Sequence, residues 1–164
     1  MNQTTKEILF LDPVCTHNIW GGTRLRTEFG YPVEGDDIGE CWGISAHPNG
    51  DGSIRNGVYA GMKLSKVWEE HPEVFGNLAY DRFPLLTKII DAKADLSIQV
   101  HPDDAYAKEH ENGSFGKTEC WYIMDAPENA TLVIGHNAKT KEELASMIHE
   151  GRWSEFIREI PVKK

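Results

Sequence analysis

The stretch Asp95-Leu-Ser-Ile-Gln-Val-His101 alternates strictly between aliphatic and polar residues. Such alternation predicts a β-strand, because successive side chains of a strand point to opposite faces. The aliphatic face, which would pack into a core, consists of Leu96, Ile98 and Val100. The polar face, which would line a cavity, consists of Ser97, Gln99 and His101. One hydroxyl, one amide and one imidazole are therefore expected side by side.

A second stretch, Gly116-Lys-Thr-Glu-Cys-Trp-Tyr122, predicts another strand with Lys117, Glu119 and Trp121 on a shared face. If it lies near the first strand, the Glu119 carboxylate joins the Gln99 oxygen and the His101 nitrogen. Such a set of nitrogen and oxygen donors without a thiolate suits Zn²⁺. Cys120 would then point into the packing layer. The pattern equally allows a solvated polar face on which Lys117 is a surface cation and Glu119 its ion-pair partner.

Two earlier segments are candidate walls of a site. In Asn18-Ile-Trp-Gly-Gly22, the Trp20 ring could offer a flat face to a sugar while the glycines bring backbone close to a ligand. A buried tryptophan beside a tight turn is the alternative. In Ile38-Gly-Glu-Cys-Trp-Gly43, Glu40 shares a strand face with Trp42. A buried acid needs a partner, so Glu40 is either exposed or functional.

The rest of the chain predicts short strands interrupted by turns, with few helices between them. We expect helices over 65–75, split by Pro72, over 103–111 and over 141–150, and strands over 84–101, 119–124, 131–134 and from Arg158. Thr140 and Glu143 form a capping box for the third helix. This order disfavours a doubly wound parallel sheet and favours an antiparallel sandwich with helical insertions.

Composition excludes several classes of partner. The chain has 17 Lys and Arg against 26 Asp and Glu, a net charge of −9, so nucleic acid is not expected to bind. The apolar run near the N-terminus is too short to be a signal peptide or to cross a membrane. The three cysteines, Cys15, Cys41 and Cys120, are odd in number and widely spaced, which favours reduced thiols in the cytoplasm.

Five segments in order resemble the class I mannose-6-phosphate isomerases of the short bacterial kind. They are 18–25, 38–43, 83–88, 96–104 and 116–122. The resemblance implies a mainly β cupin (jelly-roll) sandwich with short helical insertions. It also implies that residues 1–164 are the N-terminal part of that domain, within a parent about twice as long whose C-terminal half is absent here.

The resemblance implies a zinc ion held by Gln99, His101, Glu119 and one further histidine expected beyond Lys164. It places four positions in the pocket, with Trp20, Ser97 and Lys117 as substrate-binding residues and Lys117 and Glu40 as catalytic ones. The implied reaction interconverts mannose 6-phosphate and fructose 6-phosphate through an enediol. Because the fourth ligand is expected beyond Lys164, residues 1–164 alone are not expected to be active.

A different class of function is the alternative. A cupin module could bind a metal or a sugar without turnover, and the expected missing half favours this reading. The expected small-molecule partner is a phosphorylated hexose. Open sheet edges also predict either a homodimer or association with the missing C-terminal half.

Overall fold

The computed structural model describes residues 7–164. They form two compact units, one running to Leu96 and the other spanning Ser97–Lys164. The assignment of the chain to a single cupin domain stays a prediction, and each unit is described by itself.

Antiparallel strands dominate the first unit, as the sequence predicts. They are β1 Leu11–Asp12, β2 Val14–Gly22, β3 Ile38–His47, β4 Gly50–Asp51, β5 Ser53–Ile54 and β6 Leu86–Ile90. Strand β3 is central, because β2, β4 and β6 all pair with it. Strands β1 and β5 form a separate pair. The register of the main sheet is therefore set by the pairing of these strands with β3.

Helices are short in this unit. They are α1 Arg24–Thr27, α2 Leu64–Glu70 and two 3₁₀ turns, Gly57–Tyr59 and Pro72–Phe75. The predicted split at Pro72 is confirmed, since α2 ends at Glu70 and the 3₁₀ turn starts at the proline. Proline lacks the N–H that would continue the α-helical hydrogen-bond pattern.

Two small cores lie on the first unit's sheets and helices. One is formed by Leu25, Ile38 and Cys41 and the other by Ile54, Leu64 and Val67. Complete burial of an aliphatic side chain of this size contributes about 1.5–3 kcal/mol. Strand β3 contributes Ile38 and Cys41 to the first of these cores.

The second unit contains one antiparallel pair and three helices. They are β7 Thr131–His136, β8 Ile157–Pro161, α3 Asp104–His110, α4 Lys141–His149 and α5 Trp153–Phe156. The predicted helices over 103–111 and 141–150 and the predicted strands at 131–134 and from Arg158 are confirmed to within two residues. Strand β7 continues past the predicted end at residue 134 and includes Gly135, which has a positive φ of 75°. The register between β7 and β8 shifts there.

Two strand predictions are wrong. Asp95–His101 and Glu119–Met124 follow irregular paths. Val100 is 94% exposed, Ile98 is 61% exposed and Cys120 is also exposed, so the predicted packing faces are not buried. A strand needs a neighbouring strand that pairs with its N–H and C=O groups, and within residues 7–164 neither segment has one.

Within the described part of the chain, no helix has the length and apolar character needed to span a bilayer.

Candidate metal and substrate site

Three side chains of the second unit meet at one point. The Lys117 ammonium Nζ lies 3.0 Å from His101 Nε2 and 2.9 Å from Glu119 Oε2. The other carboxylate oxygen, Glu119 Oε1, lies 3.3 Å from the same ring nitrogen. Three residues that the sequence nominated are therefore in mutual contact, although their segments are not strands. We call these three residues the Lys117 cluster.

Backbone contacts explain how two irregular segments come together. The Lys117 N–H donates to the Pro102 carbonyl at 3.1 Å, and the Gly116 N–H donates to Asp104 Oδ1 at 2.9 Å. A Cβ at Gly116 would lie 2.5 Å from the backbone of Asp103 and Asp104. Only glycine allows this approach. Gly116 and Asp104 were missed by the sequence reasoning, which relied on strand pairing to join the segments.

The electrostatics of the Lys117 cluster keep its acid ionised. The hydrogen bond from Lys117 lowers the pKa of Glu119 below its ordinary value, against a smaller opposing effect of burial. The Trp121 indole, whose Nε1 donates to Glu119 Oε1 at 3.3 Å, lowers this pKa further. The alternation that put Lys117, Glu119 and Trp121 on one face thus holds locally, even without a strand.

Gln99 makes a different contact from the one expected. Its Nε2 donates to Ser97 Oγ at 2.9 Å, and both side chains are exposed. The structure thus groups the five candidates of this unit into the Lys117 cluster and a Gln99–Ser97 pair. The amide nitrogen is used in the bond to serine, so the oxygen is the atom left to face a cation.

The donor chemistry of these residues fits zinc. Imidazole nitrogen, carboxylate oxygen and amide oxygen are all donors that Zn²⁺ or other divalent ions accept. His101 Nε2 and Glu119 Oε2 lie 3.0 Å and 2.9 Å from one positive charge, the Lys117 ammonium. Among the described residues no three His, Cys, Asp or Glu side chains form a group that could hold a metal ion. Gln99 would therefore have to serve as the third protein ligand.

In the first unit, Glu40 forms a separate polar group. Its Oε1 lies 2.6 Å from Lys88 Nζ and its Oε2 accepts from Trp42 Nε1 at 2.7 Å. The carboxylate side chain is 13% exposed and the lysine side chain 23%. The expectation that a buried acid on this strand has a partner is met, and that partner, Lys88, was missed. Lys88 lies in segment 83–88, one of the five segments that resemble the isomerase family. Its positive charge on a short strand was the feature of the sequence that could have identified it as the partner of Glu40.

Trp20 is half-buried near the end of β2. The glycines after it approach protein rather than open space. A Cβ on Gly21 would meet the Asp37 backbone at 2.4 Å, and one on Gly22 would meet the Asp91 carboxylate. The Trp20 carbonyl accepts from the backbone N–H of Lys93 at 2.8 Å. These contacts match the structural alternative, in which the tryptophan packs beside closely approaching backbone. The exposed part of the Trp20 ring can still form one wall of a site.

A cavity of about 430 Å³ lies elsewhere in the first unit, under an aromatic cluster. Its walls include Trp68, Phe75 and Phe83, whose rings contact one another with centroids 5.0–5.9 Å apart. The residues that line it include none of the candidate site residues. The Lys117 cluster is the better candidate for the functional site, because convergent polar groups identify a site better than the volume of a cavity does.

Known proteins share the sequence and fold of this chain. Mannose-6-phosphate isomerase ManA of Bacillus subtilis is 55% identical over 159 residues, which are 97% of this chain and 50% of the relative. Mannose-6-phosphate isomerase of Streptococcus mutans is 55% identical over 157 residues, which are 96% of this chain and 49% of the relative. The chain thus spans about half the length of the curated relatives it matches.

A solved structure and a family model agree with these relatives. The crystal structure of the mannose 6-phosphate isomerase from Bacillus subtilis superimposes with a TM-score of 0.91 at 55% identity, over 94% of this chain and 49% of that one. The predicted mainly β cupin class is thereby confirmed. Residues 8–135 match the model of the catalytic domain of type I phosphomannose isomerase. This chain belongs to the type I phosphomannose isomerase family.

Proposed function

We propose that the protein containing this chain is a zinc-dependent isomerase that interconverts mannose 6-phosphate and fructose 6-phosphate through an enediol. Membership of the isomerase family supports the reaction class. The printed names of relatives at about 55% identity support the choice of sugar phosphate. The donor set of Gln99, His101 and Glu119 supports the choice of metal.

The observation that carries the proposal is the Lys117 cluster. An ammonium group, a ring nitrogen and an ionised carboxylate lie within 2.9–3.3 Å of one another inside the segment that matches the catalytic-domain model. Such convergence of titratable groups in one place is typical of functional sites.

The candidate residues fall into two groups, those that would bind the metal ion and those that would bind the sugar. His101, Glu119 and Gln99 would bind the zinc ion, which as a Lewis acid stabilises the negative charge that develops on the sugar oxygens. The Lys117 ammonium can donate three hydrogen bonds and carries the positive charge that a phosphorylated substrate requires. The Ser97 hydroxyl would donate to a sugar oxygen.

A coupled assay of fructose 6-phosphate formation tests the reaction, with zinc content measured in parallel by competition with a chelator. His101→Ala, which removes a nitrogen donor, and Glu119→Ala, which removes the charged oxygen donor, should each lower zinc affinity by more than about tenfold, since affinity depends on the number and type of ligands. Lys117→Met should leave zinc bound and raise KM for the sugar phosphate. Zinc affinity unchanged by both ligand variants would refute the metal assignment.

A non-catalytic module that binds zinc or a sugar is the second candidate. The observation in its favour is the donor set of Gln99, His101 and Glu119, which suits metal binding whether or not a sugar is turned over. Stoichiometric zinc binding without turnover, in the longest protein that contains this chain, would establish it. Turnover that depends on Lys117 would exclude it.

The location and the partners of the protein are also part of this proposal. We expect it in the cytoplasm, with no nucleic acid or membrane partner, and as a homodimer or a larger polypeptide that supplies the remaining half. The odd number and wide spacing of the three cysteines favour reduced thiols, which is the basis for this expectation. Titration of the denatured protein should find three thiols per chain, and sedimentation should give the assembly state.

A further inference from the structure

Two of the three cysteines face each other across strands β2 and β3. Cys15 of β2 and Cys41 of β3 are direct partners in the antiparallel register. Side chains of direct partners lie on the same face of a sheet, with Cα atoms about 4.5 or 5.5 Å apart according to the class of pair. Both separations fall within the range of about 4.4–6.8 Å that a disulfide spans. The register therefore permits a bond between these two sulfur atoms without a change in strand pairing.

The two thiols are also in contact. The Cys41 thiol donates a hydrogen bond to the Cys15 sulfur, and the Tyr31 hydroxyl donates one to the Cys41 sulfur. Tyr31 and Cys15 both pack against the core that contains Leu25, Ile38 and Cys41. Buried cysteines often serve only as small apolar side chains. Packing alone does not require two of them in register with their sulfur atoms in contact.

Exposure distinguishes the two cysteines. Cys41 is completely buried, whereas Cys15 is partly exposed. Burial and the hydrogen bond to Cys15 raise the pKa of the Cys41 thiol to about 12. Because the thiolate is the reactive form of cysteine, Cys41 is shielded from a dissolved oxidant both by its position and by its retained proton. Cys15 is therefore the sulfur of this pair that an oxidant reaches first.

We propose that Cys15 and Cys41 form a reversible oxidation site, in which a peroxide oxidises Cys15 and Cys41 captures the product as a disulfide between β2 and β3. The Cys15 sulfur attacks one oxygen of hydrogen peroxide, the O–O bond breaks, and water leaves as Cys15 becomes a sulfenic acid. The Cys41 sulfur then attacks the Cys15 sulfur, the S–O bond breaks, and the hydroxyl leaves with the Cys41 proton as a second water. The two thiols lose two electrons, which the peroxide gains. A thiol reductant reverses the bond by exchange.

The contact between the two sulfur atoms determines which product accumulates. A sulfenic acid that meets no thiol is oxidised further to a sulfinic acid, which thiol reductants do not restore. Cys41 already lies against Cys15, so the capture step is intramolecular and needs no diffusion. In a reducing compartment the disulfide would be transient. The site lies wholly within the first unit and involves neither the Lys117 cluster nor isomerase turnover.

The first test maps the cysteines of the whole chain after exposure to hydrogen peroxide and alkylation of the remaining thiols. Cleavage after Lys and Arg places Cys15, Cys41 and Cys120 on separate peptides, 7–24, 27–55 and 118–139. The native chain should give peptides 7–24 and 27–55 as a linked pair, lighter by two hydrogens than the free peptides together, and dithiothreitol should separate them. Treatment in urea is the control, because an unfolded chain lets all three cysteines pair. Absence of the linked pair from the native chain, or the same mixture of pairs in both states, would overturn the proposal.

The second test separates the roles of the two sulfur atoms. Cys41→Ser removes the capture step, so Cys15 should accumulate as sulfinic acid several-fold more than in the wild type. Cys15→Ser should leave Cys41 unoxidised, and Cys120→Ser, the matched control, should give the same linked pair as the wild type. Equal sulfinic acid at Cys15 with and without Cys41 would overturn the capture role. Circular dichroism checks that each variant is folded, and the map of the wild type decides the matter even where a substitution at the buried position 41 unfolds the chain.

Discussion

Gly116 has no side chain at the point where two irregular segments touch, and this absence places Lys117 beside His101. The backbone of Asp103 and Asp104 occupies the volume that a Cβ would need. The position of the candidate site thus depends on a residue with no chemistry of its own. A sequence pattern of polar side chains cannot reveal such a residue, because the clash exists only in the folded backbone.

At Gly116 we predict that alanine separates the two segments. Gly116→Ala should destabilise the chain by about 1–3 kcal/mol, the range for a forced overlap in a packed place, and should also lower zinc affinity. The midpoint of urea unfolding and a chelator competition measure these effects. Gly43→Ala is the matched control, since a Cβ there meets nothing nearer than 3.9 Å. Equal midpoints for the two variants would contradict the prediction.

At Glu119 we predict a specific pH dependence. Because the hydrogen bond from Lys117 lowers the pKa of Glu119 in the folded chain, its ionised form stabilises the fold above the unfolded-state pKa. This stabilisation is lost as the pH falls through the folded pKa. Glu119→Gln should therefore flatten the acid limb of a plot of unfolding free energy against pH. Glu128→Gln, at an exposed position, serves as the control and should leave the limb unchanged.

Helices and paired strands were predictable where the signal is local. Thr140 accepts a hydrogen bond from the Glu143 N–H at 3.1 Å, as its capping box predicts, and Asp103 caps α3 in the same way. The wrong strands were those whose alternation lacked a partner. Alternation predicts which side chains lie on the same side of an extended segment, and this prediction is correct for Lys117 and Glu119. It cannot say whether a second strand is present to complete the hydrogen bonds.

The Thr140 cap gives a prediction at the scale of a single element. Thr140→Ala should lower the stability of the chain by about 1 kcal/mol, because the first turn of α4 loses an acceptor for its N–H groups. The helical signal in circular dichroism should melt earlier. Ser114→Ala is a suitable control at an exposed turn. A Thr140→Ala midpoint equal to that of the control would show that the cap contributes nothing to the second unit.

The two units differ in how much apolar surface they bury. Within Ser97–Lys164, Ala107 and Met147 are the buried hydrophobic residues, while Trp121, Tyr122 and Trp153 are 50%, 83% and 50% exposed. Little of the apolar surface of this unit is therefore removed from solvent, whereas the first unit has two cores. The Lys117 cluster lies in the unit that buries less apolar surface.

The last prediction concerns the whole molecule and follows from that imbalance. The chain spans about half the length of its relatives, and its resemblance to the family leads us to expect a fourth zinc ligand beyond Lys164. A site with three protein donors, one of them a neutral amide, should bind zinc weakly, since affinity depends on ligand number and on the groups that orient the ligands. The exposed aromatic residues of the second unit should also draw the chain into self-association.

We therefore expect the purified 164-residue polypeptide to form no fructose 6-phosphate from mannose 6-phosphate, even with added zinc. Adding a polypeptide equivalent to the remaining half of a relative should restore turnover and quench the binding of a hydrophobic dye. The intact Bacillus subtilis isomerase, assayed under the same conditions, is the control for the assay. Robust turnover by residues 1–164 alone would contradict the prediction. It would mean that a donor within the chain completes the zinc shell, and His17, which the structure pairs with Asp37 at 2.6 Å in the first unit, would be the first residue to replace.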